Sequence, residues 1–88
     1  MSFAVIQGDS ILETHIEKQH LMKILQLFKK AKEHINVKQF YISTGGEKYV
    51  GIVKDDLIVV IKVGEMPVGV ALLEAEKILF NFLNKPKS

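Results

Sequence analysis

VKQFYISTGGEKYVGIVKDDLIVVIKV, residues 37–63, decides the fold. Val37 to Ser43 alternates apolar and polar side chains, Gly45-Gly46 turns the chain, and Lys48 to Val53 alternates again. Asp55-Asp56 turns it back into Leu57 to Val63, which is almost continuously apolar. Side chains of a strand point alternately to its two faces, so alternation predicts strands half buried in a sheet. A run apolar on both faces belongs in the middle of a sheet, covered on each side. The stretch therefore reads as a three-stranded meander that ends in a central strand. Val37 to Ser43 falls at the sheet edge, where FYI has little charge besides Lys38 to deter pairing with another strand.

The paired glycine ahead of Lys48 raises the question of a phosphate cradle. Such a loop needs the spacing G-x-x-x-x-G-K-[ST] and must open a helix whose amides hold the anion. STGGEKY has neither the spacing nor the helix, so Gly45-Gly46 reads as a hairpin turn, where positive φ is required.

Working outward, FAVIQGDSILETHI (3–16) holds two short apolar runs, Phe3 to Gln7 and Ile11 to Ile16, around Gly8-Asp9-Ser10, and reads as a hairpin. From Glu17 the period changes. Leu21, Ile24 or Leu25, Phe28, Ala31 and Ile35 recur at three and four, which predicts an amphipathic helix of about five turns stopping at Asn36. Downstream, GEMPVG (64–69) is a loop. Val70, Leu72 or Leu73, Ala75 or Glu76, Leu79 and Phe82 or Leu83 then predict a second helix ending at Asn84, with KPKS (85–88) as a frayed tail. The fold class is α+β, a five-stranded antiparallel sheet with helices on both faces in the order ββαβββα.

The 88 residues, 48% apolar with a net charge of +2, make one domain, 1–88, and are too hydrophobic for disorder. No apolar run reaches the roughly 18–20 residues of a membrane span, and Met1 starts no secretory pattern, so a cytoplasmic protein is expected. Zero cysteines exclude disulfides, zinc ribbons and thiol nucleophiles. All 12 basic residues are lysine, and the lack of the arginine fork weighs against sequence-specific DNA reading.

Candidate chemistry is sparse. His15, His20 and His34 lack the i, i+4 spacing of ligands on one helix face and read as solvated helix histidines; Glu17 with His20 is the nearest approach to a pair. Asp55 and Asp56 are neighbours in a turn rather than carboxylates facing one another across a substrate. Ser10, Ser43 and Thr44 have no evident base. No catalytic, cofactor or metal site is expected, and the chain reads as a protein that is not an enzyme. Lys18, Lys23, Lys29, Lys30 and Lys32 outweigh Glu17 and Glu33 along the first helix. They read as a solvated face, with an acidic protein surface, an anionic lipid head group or a single-stranded nucleic acid as alternatives. Phe40, Tyr41 and Tyr49 could stack on bases, but core packing explains them equally well.

Packing points to a partner. Five strands about 4.8 Å apart span roughly 20 Å, whereas one helix hides about 10 Å. One helix per face leaves sheet bare, and the remainder is expected to meet another chain in a symmetric dimer built on Val37 to Ser43 and the helix before it.

The succession of VIQGDSIL as a first hairpin, a long amphipathic helix, the meander of residues 37–63 and a closing helix resembles the roadblock/dynein light chain family and the related longin fold. The likeness covers nearly the whole chain. Roadblock proteins usually carry a further helix before the first strand and longins a second one after the last strand; this chain looks like the shared core with neither. The resemblance implies a non-enzymatic platform that forms a homodimer, or pairs with a related roadblock/longin subunit, through a continuous sheet, and that scaffolds or regulates a small Ras-like GTPase or a trafficking or motor complex. By position it places Leu21, Leu25, Phe28, Phe40, Tyr41 and Ile42 at the interface. With no arginine, the chain could not stimulate GTP hydrolysis by inserting one. The alternatives are a small-molecule sensor, which would need a cavity with convergent polar groups, and a weak lysine-mediated nucleic-acid-binding module.

Overall fold

The computed structural model describes residues 1–84; the frayed-tail reading of 85–88 lies outside them. Two strands, β1 (Phe3–Gln7) and β2 (Ser10–Thr14), lead into α1 (Lys18–Lys32). Three more, β3 (Gln39–Thr44), β4 (Glu47–Lys54) and β5 (Leu57–Lys62), lead into α2 (Val68–Leu83). The order is ββαβββα, and all pairings of the five-stranded sheet, β2-β1-β5-β4-β3, are antiparallel.

The apolar run of residues 57–63 lies at the centre, as its two-sided hydrophobicity requires. Ile58 and Val60 face α1 together with Ala4, Ile6 and Tyr49, while Leu57, Val59 and Ile61 face α2 together with Val5, Val50 and Ile52. Val59, Val60 and Ile61 are fully buried, and each such side chain contributes about 1.5–3 kcal/mol relative to leaving it in water. α1 supplies Leu21, Ile24 and Phe28 to one core layer and α2 supplies Ala71 and Ala75 to the other, so helices do cover both faces.

Gly45 and Gly46, at φ +60° and +79°, form the two-residue turn that brings Thr44 opposite Glu47. This is the hairpin geometry that needs positive φ twice. Asp55, at φ +56°, closes the β4–β5 turn without a glycine, as a short acidic side chain can.

α1 is shorter than its periodicity. The amides of His34 and Ile35 both donate to the Ala31 carbonyl and close the helix, which leaves Ile35 63% exposed and outside it. The chain has to leave the helix there to reach β3. Lys29, Lys30 and Lys32 sit in the last turn, where cations favour the helix dipole. At the other helix, the Asn84 amide and side chain both donate to the Phe80 carbonyl and finish α2 at the residue the sequence suggests.

Gly51 is a packing requirement rather than a turn. The Phe40 ring crosses its Cα on the α1 face, where a Cβ would overlap the ring, and Phe40 in turn rests on Phe28 with centroids 5.6 Å apart. Gly51→Ala is expected to push Phe40 off Phe28 and destabilise the fold by about 1–3 kcal/mol, read as a lower denaturation midpoint at unchanged slope.

Candidate interaction surface at the β3 edge

The two edges of the sheet differ. β2 has a register irregularity opposite Val5/Ile6 and carries Glu13, features that blunt an edge. β3, QFYIST, is regular over its whole pairing with β4 and has no charged residue. The Val53 amide donates to the Lys38 carbonyl at 2.8 Å. Because hydrogen-bonded pairs alternate in an antiparallel ladder, the amides and carbonyls of Gln39, Tyr41 and Ser43 then point away from the sheet. None of the three makes another backbone bond among the described residues.

Side chains extend this edge on both faces. Tyr41, beside Val50 on the α2 face, is 49% exposed. On the α1 face Phe40 and Ile42 are half buried under the helix. His20 sits against Gly45 and bonds Tyr49, so the His20 flank of α1 is the one that faces β3 and β4. At 100° per residue Leu27 and Ala31 share that flank, and Leu27 is 39% exposed.

The interface residues expected from the resemblance are therefore divided by the fold. Leu21 and Phe28, 1% and 6% exposed, are consumed by the chain's own core. Leu25 lines a groove on the far flank of α1, away from β3. Phe40 and Ile42 are at the edge but mostly covered, and Tyr41 is the one of the six that projects freely. Leu27, which no motif singles out, takes the place expected of Leu25. Its position relative to the apolar stripe was legible, since it falls about 90° from the Leu21–Ile24–Phe28 line, but its facing β3 was not.

A small polar cleft adjoins the same flank. His20 Nδ1 and Tyr49 Oη are 2.6 Å apart, and His20 Nε2 lies 3.7 Å from Glu17 Oε2. The carboxylate favours the proton on Nε2, so in the neutral ring Nδ1 accepts the tyrosine hydroxyl. The absent Cβ of Gly45 makes room for this ring. Burial, then the charges of Glu47 and Glu17, raise the Tyr49 hydroxyl above its ordinary value of 10.0. His15 and His34 do not lie on the helix: His15 follows β2, bonded to Glu13 at 2.9 Å and packed on Phe3, and His34 follows α1. Among the described residues no three His, Asp or Glu side chains converge on a metal-sized site.

Tyr49→Phe is expected to cost about 1 kcal/mol at neutral pH by orphaning Nδ1. A raised tyrosine pKa means that the folded state holds its proton more tightly than the unfolded chain. The stabilisation is complete below pH 10 and is lost as pH rises through the folded value. Urea titrations of both chains should therefore converge above pH 10.

No family model, curated protein or solved structure matches this chain. No helix among the described residues is long and apolar enough to cross a membrane.

Proposed function

We propose that this chain is a non-enzymatic, roadblock/longin-like interaction platform that pairs with a second copy, or with a related subunit, through β3. The observation that carries the reading is the β3 edge, uncharged and regular, where the backbone of Gln39, Tyr41 and Ser43 has no partner among the described residues and lies beside exposed Tyr41 and Leu27. A twofold axis at Tyr41 would join the two sheets and set Tyr41 against its copy, with the Leu27–Ala31 flanks of the two α1 helices alongside. A second apolar surface is available to a further partner. Leu73 and Phe80 project from the outer face of α2, and Phe80 is 66% exposed. The resemblance in element order supports a small Ras-like GTPase, or a trafficking or motor complex in the cytoplasm, as what the platform carries.

Light scattering over a dilution series tests the pairing. The expected mass is twice 9.9 kDa, falling toward the single-chain value on dilution. A folded chain of single mass at every concentration would remove the reading.

A further inference from the structure

α1 covers its face of the sheet unevenly. It leans on β3 and β4 through the Phe28–Phe40 and His20–Tyr49 contacts, and a groove of about 980 Å³ remains between its other flank and β1–β2. That volume is at the upper end of the roughly 300–1,000 Å³ of small-ligand pockets. Ile6, Ile11, Met22, Leu25, Val53 and Ile58 give it an apolar lining, and Lys18, Lys23, Lys29 and Lys32 stand along the helix wall.

The charge along the wall is not even. Lys29 is answered by Asp9 at 3.6 Å, and the two turns carrying Asp9 and Asp55-Asp56 are tied together there by the Gly8 amide donating to the Asp56 carbonyl. Lys18, Lys23 and Lys32 line the groove with no ion pair among the described residues, and of these Lys18 lies at the end away from the acidic turns.

We infer that this groove binds a free single-chain anionic amphiphile of the long-chain fatty acid class. Its alkyl tail lies on the apolar lining and its carboxylate meets Lys18, at the end of the wall away from the Asp9 and Asp55-Asp56 turns. An extended peptide would bring amides and carbonyls onto a lining whose floor offers them no partner. An acyl chain brings no backbone polar groups and needs one anionic anchor. The groove is on the opposite flank of α1 from β3, so its occupancy does not depend on pairing.

The test is a methyl-resolved NMR titration with octanoate, decanoate, dodecanoate and tetradecanoate, each below its micellar concentration. Shifts are expected at Ile6, Ile11, Met22 and Leu25, with affinity rising about fourfold per methylene. Dodecyltrimethylammonium is expected to bind at least about tenfold more weakly than dodecanoate. Lys18→Gln, on the helix surface, should cost dodecanoate about tenfold at unchanged thermal stability. Affinity independent of chain length, equal binding of the cation, shifts centred on Leu73 and Phe80, or no shifts at all would each overturn the inference. Groove shifts seen only with anionic phospholipid vesicles would overturn it in favour of a membrane-facing surface.

Discussion

Tyr41→Lys is expected to turn a concentration-dependent dimer into a monomer that keeps its fold. The side chain is half exposed and its amide takes no part in the β3–β4 ladder, so the substitution leaves the chain's own hydrogen bonds intact. In a β3–β3 pairing centred on residue 41, the two lysines would stand directly opposite one another. Like charges there oppose pairing, and the two apolar rings at the centre of the seam are lost. The expected loss is at least about 2 kcal/mol, about thirtyfold in the dissociation constant. Light scattering reads the mass, and circular dichroism with a thermal melt shows that the monomer is folded. A variant that dimerises as tightly as the native chain would place the seam elsewhere, with the α2 face of Leu73 and Phe80 as the next surface to alter.

Phe28→Ala and Leu27→Ala are adjacent in sequence and are expected to separate stability from association. Phe28 is buried beneath α1 and stacked on Phe40, which itself fills the space over Gly51. Its removal should cost about 3–5 kcal/mol, since the rigid strands below cannot close the cavity, and it acts on the folded monomer first. Leu27→Ala removes a side chain that is partly in water. It should change unfolding by no more than about 0.5 kcal/mol while weakening the dimer about tenfold through lost apolar contact. Denaturation curves and dilution series on both variants form the check. Equal effects of the two on stability would contradict the assignment of Phe28 to the core and Leu27 to the surface.

The distinction between these neighbours marks where the sequence stops being legible. The periodicity of α1 identifies Leu21, Ile24 and Phe28 as one face, but a face is only a direction. Whether it meets the chain's own sheet or another chain depends on what lies opposite. Here Ala4, Ile6, Val60 and Phe40 lie opposite and complete the contact. The expected spare apolar surface exists, displaced to Tyr41 and Leu27 at the β3 edge, to Leu73 and Phe80 on α2 and to the groove beside β1–β2. The lysines that read as a uniform solvated face are also sorted by the fold, with Lys18, Lys23, Lys29 and Lys32 on the groove.

By itself the sequence determined the order ββαβββα, the central place of residues 57–63, the turn at Gly45-Gly46 and the helix stop at Asn84. These follow from hydrophobic period and backbone preference, which are local properties carried within a few residues. Tertiary structure alone decided the lean of α1 toward β3, the joining of His20 to Tyr49 across 29 positions, and the groove left on the other side. It also decided the early end of α1 at Lys32, against a periodicity that runs on to Ile35. Those features depend on which side chains fill the space between layers. Close packing lets one ring, Phe40 over Gly51, set where a whole helix can sit.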